Sequence, residues 1–283
     1  GGDEVWLGDE LLTSSAAASD NSMQESLSVA LIQPDLHWLK PTANRDHLAA
    51  LLLDIPSQTD VVVLPEVFTS GFTEKPELIS GDQKTMTWMK AQASLHQVAL
   101  AGSIACEIEQ GSDSYFVNRL LFVTPAGEVF HYDKCHLFQM GDEHKRYRSG
   151  DNRQIVEYKG WKLLLTICYD LRFPVFCRNK SDYDAMICVA NWPAVRRHPW
   201  RTLLQARAIE NQAYVLGVNR VGEDGKGLLY SGDSMAVDFQ GDILIDGKEG
   251  CESVLAATFS MSLLQRARQQ FPVWQDADNF HFS

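Results

Sequence analysis

Three residues that could together split an amide bond each follow a predicted strand. Cys168 comes directly after the apolar run WKLLLTI, residues 161–167, and Glu66 follows VVVLP, residues 61–65. Lys134 lies just beyond a predicted hairpin strand that ends at Tyr132. In open α/β sheets the ligand site lies outside the carboxyl ends of the strands. All three positions are therefore suited to a common site.

These residue types fit the hydrolysis of an amide through a covalent intermediate. A free thiol, with a pKa of about 8.5, is only slightly ionised at neutral pH, so Cys168 needs a base or a nearby cation. Glu66 can accept the thiol proton and later the proton of an attacking water, provided that burial raises its pKa. Lys134 can stabilise the negative carbonyl oxygen, with the backbone N–H of Tyr169 as a second donor.

Other interpretations of Cys168 stay open at this point. It could be one more buried small hydrophobe, or the thiol of a noncatalytic sensor or scaffold. The sensor interpretation gives no reason for Glu66 and Lys134 at strand ends. A papain-like site needs a catalytic histidine, and none of the eight histidines has a comparable position after a strand.

The elements that must position these residues alternate at first between strands and helices, and strands dominate afterwards. Apolar or β-branched runs predict strands at 27–33, 61–64, 98–105, 118–123, 129–132, 154–158, 161–167, 185–190, 214–219, 234–238, 243–246 and 254–259. Helical spacing predicts helices from Thr42 or Asn44 to Pro56, around Met86 to Leu95, from Pro199 to Asn211, and from Ser262 to before Pro272. A long polar loop, 133–152, precedes the hairpin that delivers Cys168, and loops of this length are usually functional.

This order predicts an α/β fold in which helices pack on mostly parallel strands. Two rounds of sheet-building elements occur in one chain, each with helices on only one side. The simplest architecture is two sheets packed face to face with the helices outside.

Length and charge limit the possible functions. A chain of 283 residues is long enough for one α/β domain with a large core, and we expect a single domain at 27–283. Residues 1–26 show no strand or long-helix pattern and are interpreted as a leader or a segment added for expression, with Met23 as the native start. A net charge of −12 disfavours nucleic acid and anionic membranes as partners, and no apolar run is long enough to cross a bilayer.

The six cysteines are scattered and form no CxxC pair, which argues against a disulfide framework and favours a reducing cytoplasm. Cys135 and His136, near His131, lack the further ligands that would complete a tetrahedral site, so we expect no metal. The proposed hydrolysis uses no cofactor.

The segments LPEVFTSGF, YDKCHLF and ICYDLRFP resemble, in order, the three signature segments of the nitrilase superfamily of carbon-nitrogen hydrolases. The resemblance covers almost all of the chain after Met23. It implies a four-layer α-β-β-α sandwich of two mixed sheets, a Glu66–Lys134–Cys168 triad and a thioester intermediate. It also implies that Glu143 positions Lys134 and helps to hold the substrate, and that the chain pairs as a homodimer or a higher homo-oligomer.

Within the superfamily, residues 190–234 are similar to the ω-amidase group, which removes the terminal amide of α-keto acid amides such as 2-oxoglutaramate. Another superfamily activity is the alternative, such as that of an aliphatic amidase, an N-carbamoyl hydrolase or a nitrilase. A glutamine amidotransferase subunit is disfavoured because no synthetase-like segment follows residue 283.

A short dicarboxylic monoamide needs a clamp for its far carboxylate, and an arginine fork suits that carboxylate best. We therefore expect Arg172, Arg196 or Arg197 as the clamp, Asn191 and Trp192 as walls beside Cys168, and Phe68, Phe138, Met140 and Tyr147 at the entrance.

Overall fold

A computed structural model describes residues 11–79 and 82–282, and within these ranges the chain forms fifteen strands and six α-helices. The strands are β1 (Leu12–Ala17), β2 (Ser26–Gln33), β3 (Val61–Val63), β4 (Ala99–Gln110), β5 (Asp113–Val123), β6 (Val129–Asp133), β7 (Asn152–Tyr158), β8 (Trp161–Ile167), β9 (Ala185–Ala190), β10 (Tyr214–Asn219), β11 (Val221–Glu223), β12 (Leu229–Ser231), β13 (Met235–Val237), β14 (Ile243–Asp246) and β15 (Ser253–Ser260). The helices are α1 (Pro41–Leu52), α2 (Asp82–His96), α3 (Glu143–Arg146), α4 (Pro174–Cys177), α5 (Arg197–Asn211) and α6 (Met261–Gln270). Predicted elements overlap twelve of these strands, all but β1, β11 and β12. They also overlap the four longer helices, α1, α2, α5 and α6. Of the helices in the described ranges, none has the length and apolar character to span a bilayer.

One sheet has seven strands in the order β1-β7-β8-β9-β10-β13-β14. Its central strands β8, β9 and β10 run parallel and are buried along nearly their whole length, because the sheet is covered on both faces. Ile167 at the end of β8 lies opposite Val189 of β9. The parallel register therefore brings Cys168 and Asn191 out at the same edge of the sheet.

The other large sheet has six strands in the order β15-β2-β3-β4-β5-β6. β2, β3 and β4 are parallel, and two antiparallel steps then lead through β5 to β6. β6 consequently runs in the same direction as β3. The carboxyl ends of both strands, which carry Lys134 and Glu66, therefore lie at one edge.

The side chains of β3 show how this sheet separates two cores. Val61 and Val63 face the seven-stranded sheet and belong to the inner core. Val62 points the other way and packs with Leu48 of α1 and Met89 of α2. This alternation follows from the period of two residues along a strand.

The outer face of the seven-stranded sheet is covered by α5. Its Trp200 and Leu204 approach β10 at Gly217, where an added Cβ would come within 2.5 Å of a Leu204 methyl group. The helix can lie this close only because position 217 has no side chain. The order of layers is thus helix, sheet, sheet, helix, which confirms the expected α-β-β-α sandwich.

The strand β1 differs from expectation. Leu12–Ala17 pairs in parallel with β7, from Leu12 opposite Asn152 to Ala17 opposite Glu157. The expectation of no strand in the first 26 residues is therefore wrong for this stretch, while residues 1–10 lie outside the described part. β1 is an edge strand held by main-chain hydrogen bonds, so its sequence does not need the apolar pattern of a buried strand.

The start of α1 also differs. Neither Thr42 nor Asn44 caps the helix, which begins at Pro41 without a side-chain cap. The side chain of Asn44 is buried and makes three other hydrogen bonds. Its Oδ1 accepts the backbone N–H of His37, and its Nδ2 donates to the backbone carbonyls of His37 and Thr69. The asparagine therefore anchors the loop that follows Glu66.

Candidate active site

Cys168 lies at a sharp turn between β8 and a 3-10 helix at Cys168–Arg172. Its φ angle is +47°, which is rare for a residue with a side chain and stores backbone strain. The Sγ atom is 3.8 Å from the carbonyl oxygen of Asn191, at the end of the neighbouring strand β9. Residues 167–170, here named the Cys168 turn, thus present the thiol at the carboxyl edge of the sheet.

Glu66 follows β3 and is almost completely buried. Its Oε2 accepts hydrogen bonds from Lys134 Nζ at 2.9 Å and from Asn118 Nδ2 at 2.7 Å. Its Oε1 accepts the backbone N–H of Asn191 at 3.0 Å. Burial raises the pKa of Glu66 and the nearby Glu143 adds to the rise, while Lys134 opposes it.

Lys134 is equally buried and lies between two carboxylates. Its Nζ is 2.9 Å from Glu66 Oε2 and 2.9 Å from Glu143 Oε1. Burial alone would lower the pKa of Lys134, but the attraction of Glu143 and Glu66 outweighs it and holds the pKa well above the ordinary lysine value. The ammonium is therefore a fixed positive charge at neutral pH.

Burial also raises the pKa of Cys168 well above its ordinary value; Glu66 adds to this shift and Lys134 opposes it. The thiol is therefore neutral at pH 7, and it becomes a nucleophile only when a base removes its proton. Glu66, a shielded carboxylate with a raised pKa, has the properties of that base.

These residues line one cavity of about 400 Å³. From the set expected from the sequence, the lining includes Glu66, Lys134, Cys168, Tyr169, Arg172, Asn191, Trp192, Arg196, Phe138 and Met140. It also includes Phe72, Glu74, Gly141, Asp142, Pro193, Asp224, Lys226, Leu228 and Tyr230. The polar groups that could do chemistry are at the buried end, next to the strand ends. Within residues 11–79 and 82–282, no three His, Cys, Asp or Glu side chains are grouped as metal ligands.

A sequence profile described as carbon-nitrogen hydrolase matches residues 28–269. Omega-amidase YafV from Escherichia coli (strain K12) is 48% identical over 255 residues, which are 90% of this chain and 98% of that protein. The chain belongs to the carbon-nitrogen hydrolase family. The resemblance of the three segments to this group is thereby confirmed.

Two further relatives of this carbon-nitrogen hydrolase extend the comparison. The 2-oxoglutaramate amidase of Bacillus subtilis (strain 168) is 32% identical over 256 residues, covering 88% of this chain and 96% of that protein. The crystal structure of XC1258 from Xanthomonas campestris, a CN-hydrolase superfamily protein, matches with a TM-score of 0.85 and 41% identity. That match covers 92% of this chain and all of the other.

Two arginines of the hydrolase face the cavity. The guanidinium of Arg172 lies over the Trp192 ring at 5.0 Å, and that of Arg196 lies over the Phe138 ring at 5.6 Å. Trp192 is fixed in turn, because its Nε1–H donates to the carbonyl of Arg196. Among the residues that the structure describes, these ring contacts are the side-chain interactions of the two guanidinium groups, and neither forms a salt bridge. Stacked, unpaired guanidinium groups beside a cavity are suited to bind an anion.

Three residues that the sequence suggested for the cavity do not line it. Arg197 turns away from it and pairs with Asp233 at 2.8 Å. Phe68 is fully buried in the outer core beneath α2, where its ring meets Trp88. The Tyr147 hydroxyl donates to a backbone carbonyl, and the ring packs in a small separate cluster. Whether each of these residues lines the cavity depends on the direction of its side chain, and the spacing of residues in the sequence does not reveal that direction.

Glu143, at the start of α3, is completely buried and lies behind Lys134 instead of lining the cavity. Its Oε1 accepts the backbone N–H of Phe138 at 2.8 Å in addition to the Lys134 ammonium. The carboxylate therefore positions Lys134. Contact with substrate, which the resemblance also implied, does not follow from this placement.

Asn118, which was not predicted from the sequence, completes the charged cluster. Its Nδ2 donates to Glu66 Oε2 and, at 3.3 Å, to Glu143 Oε2, while its backbone carbonyl accepts the Lys134 N–H. Asn118 and Lys134 thus join the same two carboxylates. In the sequence Asn118 is the first residue of the predicted strand 118–123 and is followed by Arg119, so nothing local distinguishes it.

The cavity rim was also missed. The β11–β12 hairpin carries Lys226, whose ammonium pairs with Glu74 from the loop after β3. The ring of Phe72 lies 5.8 Å from this ammonium and 5.9 Å from that of Lys134. The hairpin strands have only three residues each, too few for a clear sequence pattern.

Proposed function

We propose that this hydrolase removes the terminal amide of a small α-keto acid monoamide of the 2-oxoglutaramate type, releasing ammonia. The observation that carries the proposal is that Cys168, Glu66 and Lys134 share a cavity with the guanidinium groups of Arg172 and Arg196. The first three groups supply the chemistry of amide cleavage, and the last two supply a place for a distal carboxylate. The relatives named omega-amidase and 2-oxoglutaramate amidase support the same substrate class.

In the first half-reaction the Cys168 thiol gives its proton to Glu66 while the sulfur attacks the amide carbon. The carbonyl oxygen becomes negative next to the Lys134 ammonium and the backbone N–H of Tyr169. The tetrahedral intermediate then collapses: the carbon–nitrogen bond breaks, Glu66 returns the proton to nitrogen, and ammonia leaves. The acyl group remains on the sulfur as a thioester.

In the second half-reaction Glu66, again ionised, takes a proton from water as the water oxygen attacks the thioester carbon. The same two donors stabilise the second oxyanion. Collapse breaks the carbon–sulfur bond, the sulfur recovers a proton from Glu66, and the carboxylic acid product leaves. One carboxylate thus serves both halves, which requires a pKa between those of a thiol and an exposed acid.

The distal end of the substrate distinguishes this activity from others of the superfamily. We propose that Arg172 and Arg196 bind the α-carboxylate while Trp192 and Phe138 hold the two guanidinium groups in place. Charge-assisted hydrogen bonds contribute about 1.5–3 kcal/mol each, so two of them favour a carboxylate-bearing amide by about 100-fold or more.

The test compares ammonia release from 2-oxoglutaramate, pentanamide, a ureide and a nitrile. We expect kcat/KM for 2-oxoglutaramate to exceed that for pentanamide by about 100-fold. Arg172→Ala and Arg196→Ala should each reduce this ratio. Arg197→Ala is the matched control and should leave it unchanged, because that guanidinium pairs with Asp233. Equal rates for both amides, or a faster nitrile or ureide, would contradict the proposal.

We further infer a homodimer or higher homo-oligomer in a reducing cytoplasm. The superfamily resemblance supports the oligomer, and the scattered cysteines, which form no CxxC pair, support the compartment. Light scattering coupled to gel filtration measures the first property directly, and a monomer at micromolar concentration would contradict it.

A further inference from the structure

A completely buried carboxylate, that of Asp170, lies outside the cavity and joins the two segments that carry Cys168 and Lys134. Its Oδ2 accepts the backbone N–H of Ile167 at 2.9 Å and the hydroxyl of Tyr132 at 2.6 Å. Its Oδ1 accepts the backbone N–H of His136 at 3.2 Å and lies 2.7 Å from His136 Nδ1. Because a carboxylate only accepts hydrogen bonds, Nδ1 carries the imidazole proton.

These donors come from both sheets. Ile167 is the last residue of β8 and directly precedes Cys168, whereas Tyr132 belongs to β6 and His136 is two residues beyond Lys134. The Tyr132 hydroxyl also accepts the N–H of Cys135 at 3.0 Å. The peptide group that follows Lys134 is therefore held by an oxygen that is itself bonded to Asp170.

We propose that Asp170 is a positioning residue that fixes the Cys168 turn against the segment 134–136, and so sets the distance from the nucleophile to the ammonium that receives the oxyanion. This inference rests on the catalytic roles proposed above for Cys168 and Lys134. Asp170 contacts neither the cavity nor the reacting atoms, so it acts only through those two residues.

The geometry explains why such a connection is needed. The two sheets meet through apolar side chains, and such contacts are non-directional. Cys168 moreover has a strained φ angle, which persists only where the surroundings enforce it. Hydrogen bonds are directional, and four donors on one carboxylate hold both segments at defined positions.

The ring of His136 is itself immobilised. It stacks on Phe173, with centroids 4.0 Å apart and planes 7° apart, and meets the edge of Phe176 at 4.9 Å. Burial, reinforced by Asp170, holds the pKa of Tyr132 well above its ordinary value, so the phenol keeps its proton and donates. The His136 ring is thus held in place, and the Tyr132 hydroxyl keeps its role as a donor to Asp170.

The test replaces Asp170 by asparagine, which has nearly the same shape but places an NH₂ group against one pair of donors. Asp184→Asn is the matched control: Asp184 accepts the N–H of Lys162 at the opposite end of β8 and also bonds Arg268. Three quantities are measured in each variant. The first of these is steady-state kinetics with the best amide substrate, which gives kcat and KM together. The second is the rate of iodoacetamide labelling at Cys168 by peptide mass spectrometry, and the third is the melting temperature.

For Asp170→Asn we expect kcat to fall by about 100-fold, as for an ångström-scale displacement of a catalytic group, with KM within about threefold of wild type. Labelling of Cys168 should slow as well. In Asp184→Asn, kcat and labelling should stay within about threefold of wild type at a comparable loss of melting temperature. A kcat in Asp170→Asn no lower than in the control, or a loss of kcat that follows melting temperature in both variants, would overturn the proposal.

If Asp170→Asn does not fold, Tyr132→Phe replaces it, because this change removes only the hydroxyl that joins Asp170 to Cys135. We then expect a smaller fall in kcat, about tenfold, at unchanged KM, and an unaltered kcat would overturn the proposal. Failure of the proposed function is recognised separately, because the wild-type protein would then hydrolyse no amide. Slower labelling of Cys168 in Asp170→Asn than in wild type would still show that Asp170 positions the Cys168 turn.

Discussion

Replacement of Lys134 by methionine removes the ammonium that lies between Glu66 and Glu143 and keeps a side chain of similar length. In catalysis the ammonium is one of two proposed oxyanion donors, and loss of one such donor lowers kcat by about 100- to 1,000-fold. We expect at least this loss for Lys134→Met, because Glu66 also loses the ammonium that lies 2.9 Å from its Oε2 and helps to hold the carboxylate in place.

The same change affects stability. Breaking a buried ion pair by removal of one partner costs about 3–5 kcal/mol, because the remaining charge is left uncompensated. Here two carboxylates lose their partner, but one of them can take up a proton, so we expect a loss within that range. A double variant, Lys134→Met with Glu143→Gln, removes one of the two carboxylates and should recover part of the stability without recovering kcat.

The stability loss should depend on pH in a defined direction. Burial and Glu143 raise the pKa of Glu66 in the folded protein and Lys134 lowers it, so loss of Lys134 raises it further. A carboxyl group whose pKa is raised on folding favours the folded state below its unfolded pKa, and this contribution is lost as pH rises through the folded pKa. The loss in free energy of unfolding caused by Lys134→Met should therefore be smaller at about pH 5 than at about pH 7.5.

Urea denaturation at both pH values, with kcat from ammonia release, measures these effects. A loss in free energy of unfolding that grows towards acid pH would refute the claim that Lys134 lowers the pKa of Glu66. Recovery of kcat in the double variant would refute the oxyanion role of Lys134, since the lost activity would then result only from the uncompensated carboxylates.

The other predictions concern the same cluster. Cys168→Ala should abolish turnover and leave the melting temperature nearly unchanged, because it removes a single atom, Sγ, whose contact with the Asn191 carbonyl is long at 3.8 Å; retained turnover in purified protein would remove the central role of the thiol. Glu66→Gln should slow both formation and breakdown of the thioester in single-turnover experiments, and an unchanged rate of either step would exclude Glu66 as its base. The acid limb of the kcat/KM profile should lie above the ordinary glutamate pKa of 4.5, because burial raises the pKa of Glu66, and a limb below 4.5 would contradict this. Asn118→Leu should lower kcat by about tenfold by removing the donor to Glu66, and wild-type kcat in this folded variant would show that the bond is dispensable.

The positions of Glu66, Lys134 and Cys168 along the fold could be derived from the sequence. Each lies at or shortly after the end of a predicted strand, and a strand is recognisable from a few consecutive residues because its pattern is local. The order of strands and helices then places the ends of parallel strands at a common edge. The fold class and the candidate triad were therefore within reach of the sequence.

The side chains that contact these three residues could not be predicted from the sequence. Asn118 and Asp170 contact groups that are distant along the chain, and each is one polar residue whose role depends on what another segment brings to it. The strand β1 has no local signal, because main-chain pairing at an edge places few demands on side chains. The rim hairpin has a turn signal in Asp224-Gly225, but its strands of three residues are too short to show a pattern.

Arg196 and Arg197 show the limit most clearly. They are adjacent in sequence and equally able to bind a carboxylate, yet Arg196 faces the cavity and Arg197 turns to Asp233. Arg196 ends a 3-10 turn and is the N-cap of α5 with non-helical backbone angles, whereas Arg197 is the first helical residue. Their side chains therefore leave the backbone in different directions. Charge and position along the chain are properties of the sequence, but the direction of each side chain was decided only when α5 packed against the sheet.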